Sequence, residues 1–174
     1  MGSVMSGVPN TDFNVGDCVV YAKHGVGLVE DIEEIEVKGE VFHSLAINLK
    51  ATGVKLFIPI DKAEDMGLRH LEKETKLNNA LGILSSAEEV DELSVARTWK
   101  ERKKILDELF KSGRPQELAK IIKYLYKKNQ VKDLPNSERK IYDFALKFLI
   151  HEMSEVKDIT EEEADHIISE ALIN

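Results

Sequence analysis

The chain holds a single tryptophan, and it lies inside the densest cluster of positive charge, Arg97-Thr98-Trp99-Lys100-Glu101-Arg102-Lys103-Lys104. A flat apolar ring beside cations is what stacking on bases, or wedging between them, requires, with Arg and Lys meeting the flanking phosphates. On a helix Trp99 would have Val95, Ala96, Arg102 and Lys103 one turn away. The apolar stripe of that helix, Ile105, Leu106, Leu109 and Phe110, begins only further along. A lone tryptophan can equally cap a core. The residues by themselves leave both readings open.

The formal net charge of −8 speaks against a polyanionic partner when taken as a sum. Its distribution is uneven. Residues 97–147 carry 15 lysines and arginines against 7 acidic residues, whereas residues 148–174 carry 1 against 8. One strongly basic segment is thus embedded in an acidic chain, as a phosphate-binding surface or as a set of solvated lysine-rich helix faces.

Other chemistry is missing its signatures. His24, His43, His70, His151 and His166 are scattered singly, with Cys18 the only thiol to join them, so no metal-ligand spacing occurs. His24-Gly25-Val26-Gly27 lacks the spacing and following helix of a nucleotide-binding loop and reads as a turn between strands. Glu161-Glu162-Glu163 suits a helix N-terminus better than a pair of catalytic acids. No nucleophile motif, cofactor motif or membrane-length apolar run is present, and the reading is non-enzymatic and without a cofactor. A lone cysteine in Cys18-Val19-Val20-Tyr21 reads as a small buried residue in a reducing, cytoplasmic setting. Residues 1–12 read as a disordered leader.

The elements that must position these residues fall into two sets. From Phe13 to Leu71 short β-branched and aromatic runs alternate with glycine turns, and Val26–Val37 returns through Lys38-Gly39 into Val41–Leu49 as a hairpin. Pro59 marks a strand edge or end. This pattern predicts a small, strongly bent β-barrel of the SH3 or Tudor type. In Val54–Pro59, Val54, Leu56 and Ile58 share one face, which sends Phe57 outward with Lys55. Apolar parity shifts between Leu28/Ile32 and Ile35/Val37, so either a bulge lies between them or Ile35 and Val37 form an exposed apolar patch.

Beyond Leu71 the period becomes helical. Helices are expected over 73–84, after Ser94 as N-cap and up to Ser112-Gly113, from Pro115 to about Asn129, from Leu134-Pro135 onward, and behind the capping box Thr160-Glu161-Glu162-Glu163. Ser86-Ala87-Glu88-Glu89 reads as a further capping box, and Asp91-Glu92-Leu93-Ser94 as either helix or loop. The chain is accordingly α+β and multidomain, a Tudor/SH3-like barrel over 13–71 followed by a compact all-α bundle over 72–174.

Val15-Gly16-Asp17-Cys18-Val19-Val20-Tyr21, His24-Gly25-Val26-Gly27, Lys38-Gly39-Glu40, Phe57-Ile58-Pro59, Met66-Gly67-Leu68-Arg69 and Thr98-Trp99-Lys100-Glu101-Arg102-Lys103-Lys104, in this order, resemble the CarD/CdnL family of bacterial transcription regulators. The resemblance implies a Tudor-like domain, shared with the transcription-repair coupling factor, that docks on the RNA polymerase β subunit. It further implies a helical domain whose tryptophan wedges into the minor groove at the upstream fork of the promoter bubble and stabilises the open complex. On this resemblance Trp99 is the wedge, Arg102 and Lys104 match cations that hold the backbone, and Arg139 and Lys140 match a second basic cluster; Arg97, Lys100 and Lys103 are further candidate DNA contacts in the same segment, the two lysines able to compensate for Glu101. Glu101 departs from the family pattern, and one fewer cation should weaken phosphate binding. The docking face comprises Ile35, Val37, Lys55, Phe57 and Pro59, with Ile35 and Phe57 standing where some relatives have arginines.

The expected partners are therefore the polymerase β subunit and promoter DNA, contacted by a monomer away from any membrane. The rival expectation is a non-enzymatic adaptor whose basic helices bind an acidic protein through Trp99. A stand-alone repressor fits less well, for want of a helix-turn-helix.

Overall fold

The computed structural model describes residues 11–174. Ten of the twelve residues read as a leader lie outside the described residues; of the other two, Thr11 accepts the Phe13 N–H through its Oγ1 at 3.1 Å. The chain divides into two compact units, one ending at Leu71 and one beginning at Glu72.

The first unit is a five-stranded antiparallel sheet, β1 (Cys18–Tyr21), β2 (Gly25–Val37), β3 (Glu40–Leu49), β4 (Lys55–Pro59) and β5 (Leu68–His70), in the order β4-β3-β2-β1-β5. The β2–β3 hairpin closes through two residues with positive φ, Lys38 at 52° and Gly39 at 81°. That is the backbone a tight hairpin with right-handed strand twist needs, and glycine adopts it without a Cβ clash. The turn pairs Val37 with Glu40, and pairing runs from there to Gly27 opposite Leu49. The register slips once, between Val29 and Asp31, so Glu30 is an extra residue. This bulge lies ahead of Ile32, so it separates Leu28 from Ile32, whereas Ile35 and Val37 follow Ile32 in unbroken register and take the opposite face. Leu28 faces outward before it, and Ile32 packs against the core after it.

Val19, Val29, Leu45, Ile47 and Ile58 form the centre of the sheet's inner face, with Phe13 and Leu68 closing over it. Gly27 is fixed by close approach, because a Cβ there would meet Ile47 Cγ2 at 2.6 Å and the Asn48 carbonyl oxygen at 3.2 Å. The turn expected at His24–Gly27 therefore lies earlier, at Ala22–His24, and Gly25–Gly27 already belong to β2. Cys18 is only half-buried, whereas Val19 and Val20, which follow it on opposite faces of the strand, are both buried.

The second unit contains six helices among the described residues: α1 (Glu74–Ser85), the single turn α2 (Asp91–Ser94), α3 (Trp99–Ser112), α4 (Pro115–Val131), α5 (Asn136–Lys157) and α6 (Glu161–Ile173). The central α4 buries Leu118, Ile121, Ile122 and Leu125. Its start follows from Pro115 at the first helical position, where the missing N–H costs nothing. Helix α5 supplies Ala145, Phe148, Leu149 and Met153, and Phe148 stacks on Phe110 of α3 at 5.7 Å. Residues 151–157, within the acidic stretch 148–174, are the last turns of α5 and bury His151, Glu152 and Met153. Glu152 accepts the Glu72 backbone N–H at 2.8 Å, fastening the start of the unit to α5.

Two helix starts differ from expectation. Ser86 ends α1, where its N–H donates to the Gly82 carbonyl, and its Oγ accepts the Glu88 N–H at 3.1 Å without opening a helix. Ser94 donates its hydroxyl back to the Asp91 carbonyl at 3.0 Å, so it closes α2 and does not cap α3. The segment between α1 and α3 is instead held from α4. Lys120 reaches Glu92 at 2.9 Å, and the buried Lys123 donates to the Glu88 carbonyl. The hydrogen bond with Glu92 holds Lys120 above the usual lysine range, while burial pushes Lys123 below it.

Candidate nucleic-acid and protein interfaces

Trp99 is the first residue of α3. The N-cap is Thr98, whose Oγ1 accepts the Glu101 N–H at 3.1 Å, and Glu101 Oε2 accepts the Arg97 N–H at 2.9 Å. The pair satisfies one amide of the helix's first turn, that of Glu101, and the amide just before the N-cap, that of Arg97. Because the helix begins at Trp99 itself, the ring has no helical neighbours at Val95 and Ala96, and the residue is 51% exposed. Arg97, Lys100 and Lys104 are exposed around it, and Lys103 pairs one turn on with Asp107 at 3.0 Å.

Arg102 behaves differently from the other cations. Its side chain is 19% exposed and turns toward α5, where Nε lies 3.6 Å from Glu138 Oε1. Glu138, at 4% exposure, sits in the first turn of α5 and binds Lys128 of α4 through both oxygens, at 2.8 and 2.7 Å. The adjacent Arg139 donates from Nη2 to Asn129 Oδ1 at 2.9 Å, and its guanidinium lies 6.0 Å from the Tyr142 ring centre. Lys140 is exposed beside it. The Arg102–Glu138 contact brings the first turns of α3 and α5 together, so both basic sets belong to one end of the helical unit. Burial raises the Tyr124 and Tyr142 hydroxyls above the usual phenol range, partly opposed by the charges of Arg102 and Arg139.

On the sheet unit, opposite residues of paired strands share a face. Ile35 lies opposite Phe42, Val37 opposite Glu40, Ala46 opposite Phe57, and Ser44 opposite Pro59. Ile35, Val37, Lys55, Phe57 and Pro59 therefore all occupy the outer face, with Phe57 47% exposed and Phe42 41%. Lys55 Nζ is 5.8 Å from the Phe57 ring centre. β4 is an edge strand. The Leu49 N–H donates to the Val54 carbonyl, and the alternation of antiparallel bonding then points the Lys55 and Phe57 backbone groups away from β3.

Phe42 was not expected in this surface, although the hairpin turn implied it: pairing Val37 with Glu40 puts Ile35 across from Phe42. Glu138 and Asn129 carry no such signal, since nothing in their local spacing marks a buried carboxylate or an arginine-orienting amide. Among the described residues no group of three His, Cys, Asp or Glu is placed to hold a metal ion, and no helix is long and apolar enough to cross a membrane.

Comparison with known proteins matches residues 13–71 to the CarD-like/TRCF RID domain and residues 79–169 to the CarD C-terminal domain. The chain belongs to the CarD/CdnL family. A full-length relative of this family, the putative transcription factor YdeB of Bacillus subtilis (strain 168), is 33% identical over 151 residues, spanning 87% of this chain and 96% of that protein. Among solved structures, "CdnLNt from Myxoccoccus xanthus" is 36% identical, covers 38% of this chain and 93% of its own, and has a TM-score of 0.30. CarD/CdnL membership makes the chain one of a family of transcription regulators with a Tudor-like N-terminal domain, and that family is not a class of enzymes.

Proposed function

We propose that this protein is a non-enzymatic, cofactor-free cytoplasmic regulator that binds the RNA polymerase β subunit and stabilises the promoter open complex at the upstream fork. Residues 13–71 are the polymerase-interacting domain and residues 72–174 the DNA-contacting domain. The observation that carries the reading is Trp99: a half-exposed ring at a capped helix start, with Arg97, Lys100 and Lys104 exposed beside it. The cap fixes the backbone from which the ring projects, so a wedge at a DNA step needs little further ordering. Arg102, Lys103, Arg139 and Lys140 complete the cationic surface and contact the backbone, while the ring recognises the shape of the fork and not its bases.

The sheet unit supplies delivery. Its outer face, Ile35, Val37, Lys55, Phe57 and Pro59 together with Phe42, docks on the β subunit, and the open edge of β4 adds a strand to it. Docking raises the local concentration of a weak DNA surface, which is how a monomer of net charge −8 works on a polyanion. A titration of forked against fully duplex promoter DNA, with and without polymerase, tests this. Polymerase-dependent binding that favours the fork is expected. Trp99-dependent capture of an acidic protein, with no polymerase-dependent DNA contact, would instead establish the adaptor.

A further inference from the structure

We propose that Glu138 is a positioning residue for the DNA-contacting surface: its buried carboxylate holds Arg102 in place beside Trp99, with Lys128 as its second cationic partner. This inference rests on the reading of Trp99 and its cations as the DNA-contacting surface.

Three helices meet at this group. Glu138 opens α5, Lys128 closes α4, and Arg102 lies one turn into α3, on the same side of the helix as Trp99 three residues earlier. One anion thus faces two cations. Lys128 takes both carboxylate oxygens at hydrogen-bond distance. Arg102 Nε is left at 3.6 Å, beyond a good hydrogen bond, and is buried with no acceptor among the described residues. None of the other guanidinium nitrogens hydrogen-bonds to a described residue either. The guanidinium is therefore steered by charge through its buried Nε while its terminal Nη donors stay unspent, and a phosphate oxygen is the kind of acceptor they fit. Arg139 is held in a comparable way from the same two helices, through Asn129.

The sign of the effect separates positioning from simple electrostatics. Removing a carboxylate beside a DNA surface would, by Coulomb attraction alone, tighten DNA binding. Loss of a group that holds Arg102 in place loosens it. The test uses Glu138→Gln, which keeps the shape, in the full chain bound to RNA polymerase, with the dissociation constant of forked promoter DNA read by anisotropy across a salt series. A rise of about three- to ten-fold is expected. Glu138→Gln/Lys128→Met, which removes both partners and the repulsion between Lys128 and Arg102, should show the same rise, and both variants are checked by thermal melting. In an Arg102→Gln background Glu138→Gln should add nothing. Unchanged or tighter binding in the two variants, or an equal loss without Arg102, overturns the inference. If Trp99→Ala and Arg102→Gln leave forked-DNA binding untouched, it is the reading of the surface itself that fails.

Discussion

Glu101 Oε2 accepts the Arg97 backbone N–H at 2.9 Å while the Glu101 N–H is accepted by Thr98, so the one acidic residue of the basic segment around Trp99 is also the one that closes the helix start beneath it. The carboxylate has two opposed effects. It places a negative charge within the proposed DNA surface, and it orders the turn that carries the ring. An acidic group in the first helical turn also favours the helix dipole.

These effects can be separated. Glu101→Gln retains a side-chain acceptor for the Arg97 N–H and removes the charge, so forked-DNA affinity should rise, with melting nearly unchanged. Glu101→Ala and Thr98→Ala each lose one half of the cap and should cost about 0.5–2 kcal/mol, measured by urea unfolding. A Glu101→Ala protein as stable as the parent would show that the cap is dispensable.

Phe57→Asp places a charge in the middle of the outer face of β2–β4. It should abolish co-elution with RNA polymerase while leaving circular dichroism and melting close to the parent, because the ring is already half in solvent. Phe42→Asp should do the same. Co-elution unchanged in both variants would move the docking face elsewhere on the sheet unit.

The Glu92–Lys120 pair holds the turn that leads to Trp99, and its charge state sets a pH window. The Lys120 hydrogen bond keeps the Glu92 carboxyl below the usual carboxylate range, so its contribution is present above that range and lost as pH falls through the lowered value. Lys120 is raised by the same hydrogen bond, so its contribution is present below the usual lysine range and lost as pH rises through the raised value. Protection of the amides over 88–98, taken relative to their intrinsic exchange rates, should therefore be greatest between these limits and fall as pH drops through the lowered Glu92 value. Glu92→Gln should flatten the acid side of that profile. An acid side unchanged by the substitution would assign it to other groups.

Within the core of α4, Leu125→Ala should cost about 2–5 kcal/mol, since the side chain is fully buried. Gly27→Ala should also destabilise, by roughly 1–3 kcal/mol, because the added methyl meets Ile47 in a closed sheet interior. Denaturant midpoints check both. A Gly27→Ala protein with an unchanged midpoint would show that Ile47 yields without cost.

Much of this architecture could be read from local pattern. Lys38-Gly39 announced the hairpin, Pro115 and Gly113 marked two helix boundaries, and the parity of Leu56, Phe57 and Ile58 sent Phe57 outward. What escaped was competition between similar local signals and contact across distance. Ser94 and Thr98 are both good N-caps, and Thr98 takes the role because Glu101, three residues on, completes its pair. Ser86 resembles a helix start, yet its hydroxyl closes a turn at Glu88. The bulge expected as one alternative between Ile32 and Ile35 does not occur; the bulge of this hairpin lies earlier, at Glu30, and Ile35 and Val37 face outward with Val37 exposed because register runs unbroken from Ile32. Arg102 read as one cation among several because Glu138 is 36 residues away and no period links them.

The central claim, that Trp99 acts at the fork of the open promoter, is tested most directly by open-complex lifetime. Polymerase–promoter complexes formed with saturating protein are challenged with a competitor, and their decay is followed for the parent and for Trp99→Ala, with polymerase binding and melting measured alongside. The account predicts a shorter lifetime for Trp99→Ala, near that of polymerase alone, with binding to polymerase and stability retained. A lifetime equal to the parent's, with the variant demonstrably bound to polymerase, would contradict it.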